Sequence, residues 1–479
     1  MISFSDLPKP SFVIKKTKLP LEPYNKKVLY KGRDTAKMRF PLNQPNSYID
    51  EAFGFIIKWN ALLNGLATAE DESLLSFVFD KGGCMSCFDA INVKIGGGDG
   101  GTKNINLLAS LMKDIETSPE YASNTGLLME GLTAGAQGVT LTYEIGAGAV
   151  GPPVVPGVVD DSKASVEFCL QIPFTAISNT HQNIPLFSKS NIEVELVFAE
   201  ANVVGSFMYH LGTPDGSVKP DILNDLITYS NVRMETSIIS VSDNVQRGID
   251  SIYDGVFILN STSWSHADAL IPTGSKKIQE IIPIAVKSMK RVFVIHRDNT
   301  KIIGASHQIT EGITTDPLSL GHHINPSIAN YHFTLDDVKY PTQPVDGSKG
   351  SYYELLRADD QSGKHHENSV NVGSGSSADL TLNKEPQTQP WDLGMASSGS
   401  PHAVGYNIGS YVSSLNFEVL NFNRSAHLLD GLDTKGEDLY YIANMTTALP
   451  RDLRLDFFVN HDTQIVLNTK GSNVFEYYY

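Results

Sequence analysis

The chain has 479 residues, 41% of them hydrophobic, with a formal net charge of −16 and three cysteines. That length suits two to three domains with sizeable cores, no apolar run is long enough to span a membrane as a helix, and Cys84, Cys87 and Cys169 are too few for a disulfide framework. The amino-terminal MISFSDLPKP lacks the order of a secretory signal, so the chain is expected to be made in the cytoplasm or nucleus and not secreted, and its three Asn-x-Ser/Thr triplets read as chance matches.

Residues 1–40 hold ten basic side chains, Lys9, Lys15, Lys16, Lys18, Lys26, Lys27, Lys31, Arg33, Lys37 and Arg39, against Asp6, Glu22 and Asp34. The segment therefore carries +7 and the remainder, out of a total of −16, carries −23. With Pro8, Pro10, Pro20 and Pro23 and no clean period, it reads as an extended basic arm with at most a short strand near Ser11 to Ile14, suited to meeting something anionic.

The stretch from Pro45 to Asn60 is the first clear element. Turn residues lead into a period-2 alternation that sets Phe53, Phe55, Ile57 and Trp59 against Gly54, Ile56, Lys58 and Asn60, which predicts a half-buried strand. Short β-rich runs follow at Leu74–Asp80 and Phe88–Ile95, then a glycine loop from Gly96 to Gly101 that lacks the Lys-Ser or Lys-Thr of a phosphate cradle. Asn104 can cap a helical excursion with Ile105, Leu108, Met112 and Ile115 on one face, and Ser118-Pro119 can open another. After a Gly/Ala/Val/Pro-rich loop from Thr133 to Ser162, strands are predicted at Val166–Ile172, Ile192–Phe198 and around Val232–Ile238, and Ser242–Asp250 reads as a linker.

The second half repeats the plan without repeating the sequence. Strands are predicted at Val256–Asn260, Ile278–Val286, Arg291–Ile295, Ile328–Leu335, Leu415–Phe422, Leu439–Met445, Leu453–Val459 and Gln464–Leu467, with a short helix at Tyr352–Arg357. Residues 361–410 contain seven Gly and nine Ser and read as a long exposed loop. The chain ends in an aromatic tail, with Phe475, Tyr477, Tyr478 and Tyr479 suited to packing against a neighbouring subunit. The expected division is a basic arm over 1–40, a first β domain over 41–245, a second over 246–470 and the tail over 471–479.

No constellation points to catalysis. Cys84-Met-Ser-Cys87 has the spacing of a zinc or redox pair but lacks the further ligands, since Cys169 stands alone. His322-His323 and His365-His366 would face opposite ways on a strand, Asp336-Asp337 and Asp359-Asp360 sit in turns, and no Gly-x-Ser-x-Gly or His-Glu-x-x-His occurs. The expectation is a non-enzyme without metal or cofactor. Short strands in two sets, few helices and long loops describe an all-β chain of two antiparallel barrels or sandwiches in tandem.

The order of segments resembles the double jelly-roll major capsid proteins of tailless icosahedral DNA viruses, of the virophage, polinton-like virus and adintovirus type. NSYIDEAFGFIIKWN looks like the family's first strand, INLLASLMKDIETSPEYASNTGLLMEG like its first helical excursion, and FCLQIPFTAISNTHQNIPLFSKSNIEVELVF like the strands that lead out of the first barrel. IQEIIPIAVKSMKRVFVIHRD, YHFTLDDVKYPTQPVDGSKGSYYELLRA and FEVLNFNRSAHLLDGLDTKGEDLYY, the last with its Gly431–Thr434 turn, are similar to segments of the second.

The resemblance implies two tandem eight-stranded jelly rolls with short helical insertions and long loops. It implies a structural protein of the virion capsid, forming homotrimers that act as pseudo-hexameric capsomers. These would contact neighbouring capsomers, penton and minor capsid proteins, and the genome or an internal membrane through the basic arm. The alternative reading is a jelly-roll protein that binds glycans or attaches to cells, with residues 361–410 presenting the site.

Overall fold

The computed structural model describes residues 13–41, 44–50, 56–63, 75–79, 83–95, 98–99, 102–103, 105, 107–108, 140–143, 165–171, 175–177, 183–186, 192–200, 204–209, 227–254, 256–299, 309–310, 313–314, 326–346, 349–358, 370–371, 406–407, 412–417, 431–468 and 474–476. Antiparallel strands dominate. In the first half these are β1 (Val13–Leu21), β2 (Thr35–Arg39), β3 (Ser47–Ile49), β4 (Ile56–Leu63), β5 (Leu75–Phe79), β6 (Phe88–Ile95), β7 (Gly98–Asp99), β8 (Thr102–Lys103), β9 (Thr140–Tyr143), β10 (Ser165–Gln171), β11 (Ile184–Pro185), β12 (Ile192–Phe198), β13 (Gly205–Tyr209) and β14 (Ile227–Val241). Helix α1 (Asp243–Tyr253) then leads to the second half.

There the strands are β15 (Val256–Ile271), β16 (Lys277–Ile282), β17 (Met289–Asp298), β18 (Ile309–Thr310), β19 (Ile313–Thr314), β20 (Ile328–Leu335) and β21 (Val338–Asp346). Helix α2 (Lys349–Ala358) precedes β22 (Val370–Asn371), β23 (Tyr406–Asn407), β24 (Val412–Asn416), β25 (Leu439–Met445), β26 (Leu453–Asn468) and β27 (Val474–Glu476).

The strand order decides the architecture. In the second half one sheet reads β15-β26-β17-β24 and the other β16-β25-β20-β21. Counted along the chain, the eight strands fall in the orders 1-8-3-6 and 2-7-4-5, which is a jelly roll. The first half has the same plan. One sheet runs β1-β14-β4-β10, with β3 continuing the edge that β4 occupies on β14, and the other runs β2-β12-β6-β7, with β8 also on β6. Both β1 and β2 are needed to complete it.

Several expectations are corrected at this point. Residues 13–40 are not an extended arm, because eight of the nine residues of β1 pair with β14 and β2 pairs with β12. The signal was present in Thr-Ala-Lys-Met-Arg, where Ala36 and Met38 alternate inward, but the surrounding charge and prolines masked it. The Ser242–Asp250 linker is the helix α1. Ser242 caps it by accepting from the Val245 amide at 3.4 Å, and Asp254 ends it in the left-handed region at φ 46°. The two strands predicted between Leu453 and Leu467 are the single strand β26, in unbroken register with β15 from Leu453 to Asn468.

The first core gathers around Trp59. β4 buries Ile57, Trp59, Ala61 and Leu63 in strict alternation, as its sequence predicts, while Phe53 and Phe55 lie outside the described residues. Trp59 meets Phe88 edge-on at 4.7 Å between ring centroids and Phe168 at 5.3 Å, and Phe198 stacks on Tyr229 at 4.5 Å. Cys84 and Cys87 sit in a 3₁₀ turn inside this cluster, and burial pushes the Cys87 thiol up to about 12, so it stays protonated.

Register places the long connections at one end of both rolls. Leu62 faces Ser165, Leu63 faces Ile227 and Asp298 faces Leu453, so the connections after the first, third, fifth and seventh strands all leave from this upper end. In the first roll three of them contribute β5, β9 and β13, which form a sheet of their own. The β18–β19 hairpin of the second roll lies against β13. The helical excursion predicted from Asn104 and most of the 361–410 loop lie outside the described residues, apart from Ile105, Leu107 and Leu108 and the paired strands β22 and β23.

Candidate assembly surfaces

Five of the ten basic residues of the amino-terminal segment are engaged by the chain's own carboxylates. Lys16 pairs with Asp50, Lys27 with Asp34 at 2.6 Å, Arg33 with Glu200, Lys37 with Glu195 at 2.7 Å and Arg39 with Glu193 at 3.0 Å. Alternation explains the last two: Lys37 and Arg39 share a face of β2 and meet Glu195 and Glu193 directly across the ladder on β12. The Lys31 amide donates to Asp34 at 2.9 Å, while Lys15, Lys18 and Lys26 are exposed and Lys9 lies outside the described residues.

Burial would raise the Glu195 carboxyl, but hydrogen bonds from Lys37 and Lys94 more than offset it and hold it below its ordinary value. Half of the segment's cations are thus turned onto the chain's own carboxylates, on strands of the first roll rather than on a free arm.

Of the aromatic tail, only Val474–Glu476 is described. β27 pairs with β26 of its own sheet, setting Phe475 opposite Ile465, and Tyr477, Tyr478 and Tyr479 lie outside the described residues.

Between the rolls runs a continuous apolar junction. Phe257, Leu259, Ile465 and Leu467 of the second roll belong to the core of the first, and Ser261 donates its hydroxyl to the Ala176 carbonyl. Leu107 and Leu108, in the connection after the fifth strand of the first roll, pack with Trp264, Phe293 and Phe458 on the outer face of the second roll's sheet.

Beside them lies a buried ionic group. Asp456 accepts from Arg297 Nε at 2.7 Å and its other oxygen contacts His266 Nε2 at 3.0 Å. Burial would raise the Asp456 carboxyl, but Arg297 and then His266 outweigh it and keep it below its ordinary value.

Among the described residues, no group of three or more His, Cys, Asp and Glu is arranged to hold a metal ion. Asp336 and Asp337 form the two-residue turn between β20 and β21, both in the left-handed region at φ 44° and 64°, as the turn reading expected. The histidine pairs His322-His323 and His365-His366, and Asp359-Asp360, lie outside the described residues.

No protein-family model and no curated relative matches the chain. Solved structures do. VP54 of PBCV-1, in a crystal structure fitted into a cryo-EM reconstruction of the virophage Sputnik, aligns with a TM-score of 0.54 at 10% identity over 97% of both chains. The Faustovirus major capsid protein aligns with a TM-score of 0.54 at 8% identity, over 98% of this chain and 93% of that one.

The chain has the double jelly-roll fold. The alignments run through both rolls, not one of them. At such identities the strand order persists while almost every side chain differs, because the order is fixed by alternation and register and not by particular residues.

Proposed function

We propose that this double jelly-roll chain is a viral major capsid protein whose copies assemble as trimers, each a pseudo-hexameric capsomer, into an icosahedral shell around a DNA genome. The observation that carries this reading is the side-by-side packing of two rolls with one strand order, joined by a shared apolar core and with their long connections leaving one common end. Three such bodies supply six similar rolls, which can close a ring by repeating one kind of contact.

The residues are spent on building surfaces. Buried polar groups of the second roll, Asp456, Arg297 and His296 among them, are bound to one another or to Tyr441 across strands. Neighbouring capsomers, penton and minor capsid proteins are the further partners of this reading, and the virion is its location.

Electron microscopy of the expressed, purified chain tests it. Six-lobed capsomers with threefold symmetry, or closed shells, are expected, and a population of single two-lobed particles at all concentrations would overturn the reading.

A further inference from the structure

The junction between the two rolls of one chain shows how a chain can meet its neighbour. In the first roll the region of the fifth strand faces outward: β8 lies beside β15, β7 beside β27, and Leu107 and Leu108 follow in the next connection. In the second roll the receiving surface is its first strand, β15, with β26 behind it. Fifth-strand side meets first-strand side.

Among the described residues, nothing covers the equivalents of these two surfaces on the single chain. β1, the first strand of the first roll, forms an edge of its sheet, and Lys15, Lys16, Thr17 and Lys18 are all exposed along it. β21, the fifth strand of the second roll, is an edge too, exposed at six of its nine positions besides the half-buried Tyr340 and Pro341. Val338 is 53% exposed at its start, and Tyr353 on α2, in the connection that corresponds to the one bearing Leu107 and Leu108, is 63% exposed. Edge strands and large apolar side chains left open in this way are surfaces that assembly covers.

Level and charge agree. Lys15 pairs opposite Ser240 near the base of β1, and the Asp336-Asp337 turn lies at the base of β21, where Leu335 faces Leu439. The strand at the receiving surface is basic and the turn facing it is acidic, with Lys339 as the one cation beside it on β21.

We propose that β21 and the start of α2 of one copy dock on β1 of a second copy, with Asp336 and Asp337 meeting Lys15 and Lys18, so that the junction within the chain is repeated between chains. This rests on the assembly reading above. The contact is heterologous and closes when three copies have used it.

The test is a cross-link in the full chain. With Cys169 replaced by Ser, K18C and V338C are combined and the protein is oxidised mildly, and covalent dimers and trimers are expected on a denaturing gel. Chains with K18C or V338C alone should stay uncross-linked by this route, because the remaining Cys84 and Cys87 are buried. As a graded readout, K15E/K18E and D336N/D337N should each raise the concentration at which oligomers dissociate by about threefold to tenfold, the size of effect expected of exposed ion pairs. Asn is chosen because it tolerates the left-handed backbone at both turn positions. A chain that is trimeric by light scattering but gives no cross-link overturns the proposed pairing alone, whereas a chain that stays monomeric overturns the assembly reading with it.

Discussion

The space between the sheets of the first roll is closed by rings, with Phe88, Phe168 and Phe198 around Trp59, and two buried thiols lie among them. The second roll uses rings as well, but ties them with polar bonds: Tyr331 donates its hydroxyl to the Ser414 carbonyl at 3.0 Å, Tyr441 shares a bond with Ser413 at 2.8 Å, and His296 contacts the Tyr441 hydroxyl at 3.1 Å, while on the outer face Arg297 holds Asp456. Two rolls of one strand order are therefore stabilised differently. Volume dominates in the first and polar satisfaction in the second, so they should fail under different perturbations.

The largest expected effect comes from the amino terminus. Deleting residues 2–21 removes β1, exposes the edge of β14 and should abolish folding of the first roll, whereas deleting residues 2–12 stops short of β1 and should leave it folded. Circular dichroism with thermal melting of the two truncations checks this. A folded protein lacking β1 would return this segment to the status of a dispensable arm.

Trp59→Ala and Asp456→Ala should each cost about 3–5 kcal/mol, the first by leaving a cavity and the second by leaving Arg297 buried without its carboxylate. Hydrogen exchange should separate them. Protection should fall around β4, β6 and β10 in the first variant and around β15, β17 and β26 in the second.

Acid should single out the ionic group. The Asp456 carboxyl sits below its ordinary value of 3.8 in the folded chain, so its contribution is in full force above that pH and is lost as the pH falls through the lower folded value. Asp456→Asn should flatten that acid limb of the stability curve while lowering stability at neutral pH.

Smaller effects follow. A Cβ at Gly431 would come within 2.5 Å of the Met289 carbonyl oxygen, so Gly431→Ala should destabilise the second roll by about 1–3 kcal/mol in urea titration. Lys37→Gln should cost at most about 1 kcal/mol, because its side chain is 38% exposed and solvent screens its pair with Glu195.

Much of the fold was legible because alternation is local. β6, β20 and β25 match their predicted bounds, and Ile57 and Trp59 share a buried face as predicted. β1 was illegible because an edge strand with one open side needs few apolar residues, and Lys15, Lys16 and Lys18 concealed it. α1 carried its signal in Ser242 and in Val245, Ile249 and Ile252 at helical spacing, which its charges obscured. The candidate surfaces were the least legible part. Whether Lys37 faces solvent or Glu195 depends on a pairing across more than a hundred residues.

The central claim is that these two-roll bodies associate in threes, and the molar mass of the purified full chain by light scattering across micromolar concentrations tests it most directly. A mass three times that of the single chain, persisting on dilution, is the predicted result, and a single-chain mass throughout would contradict it.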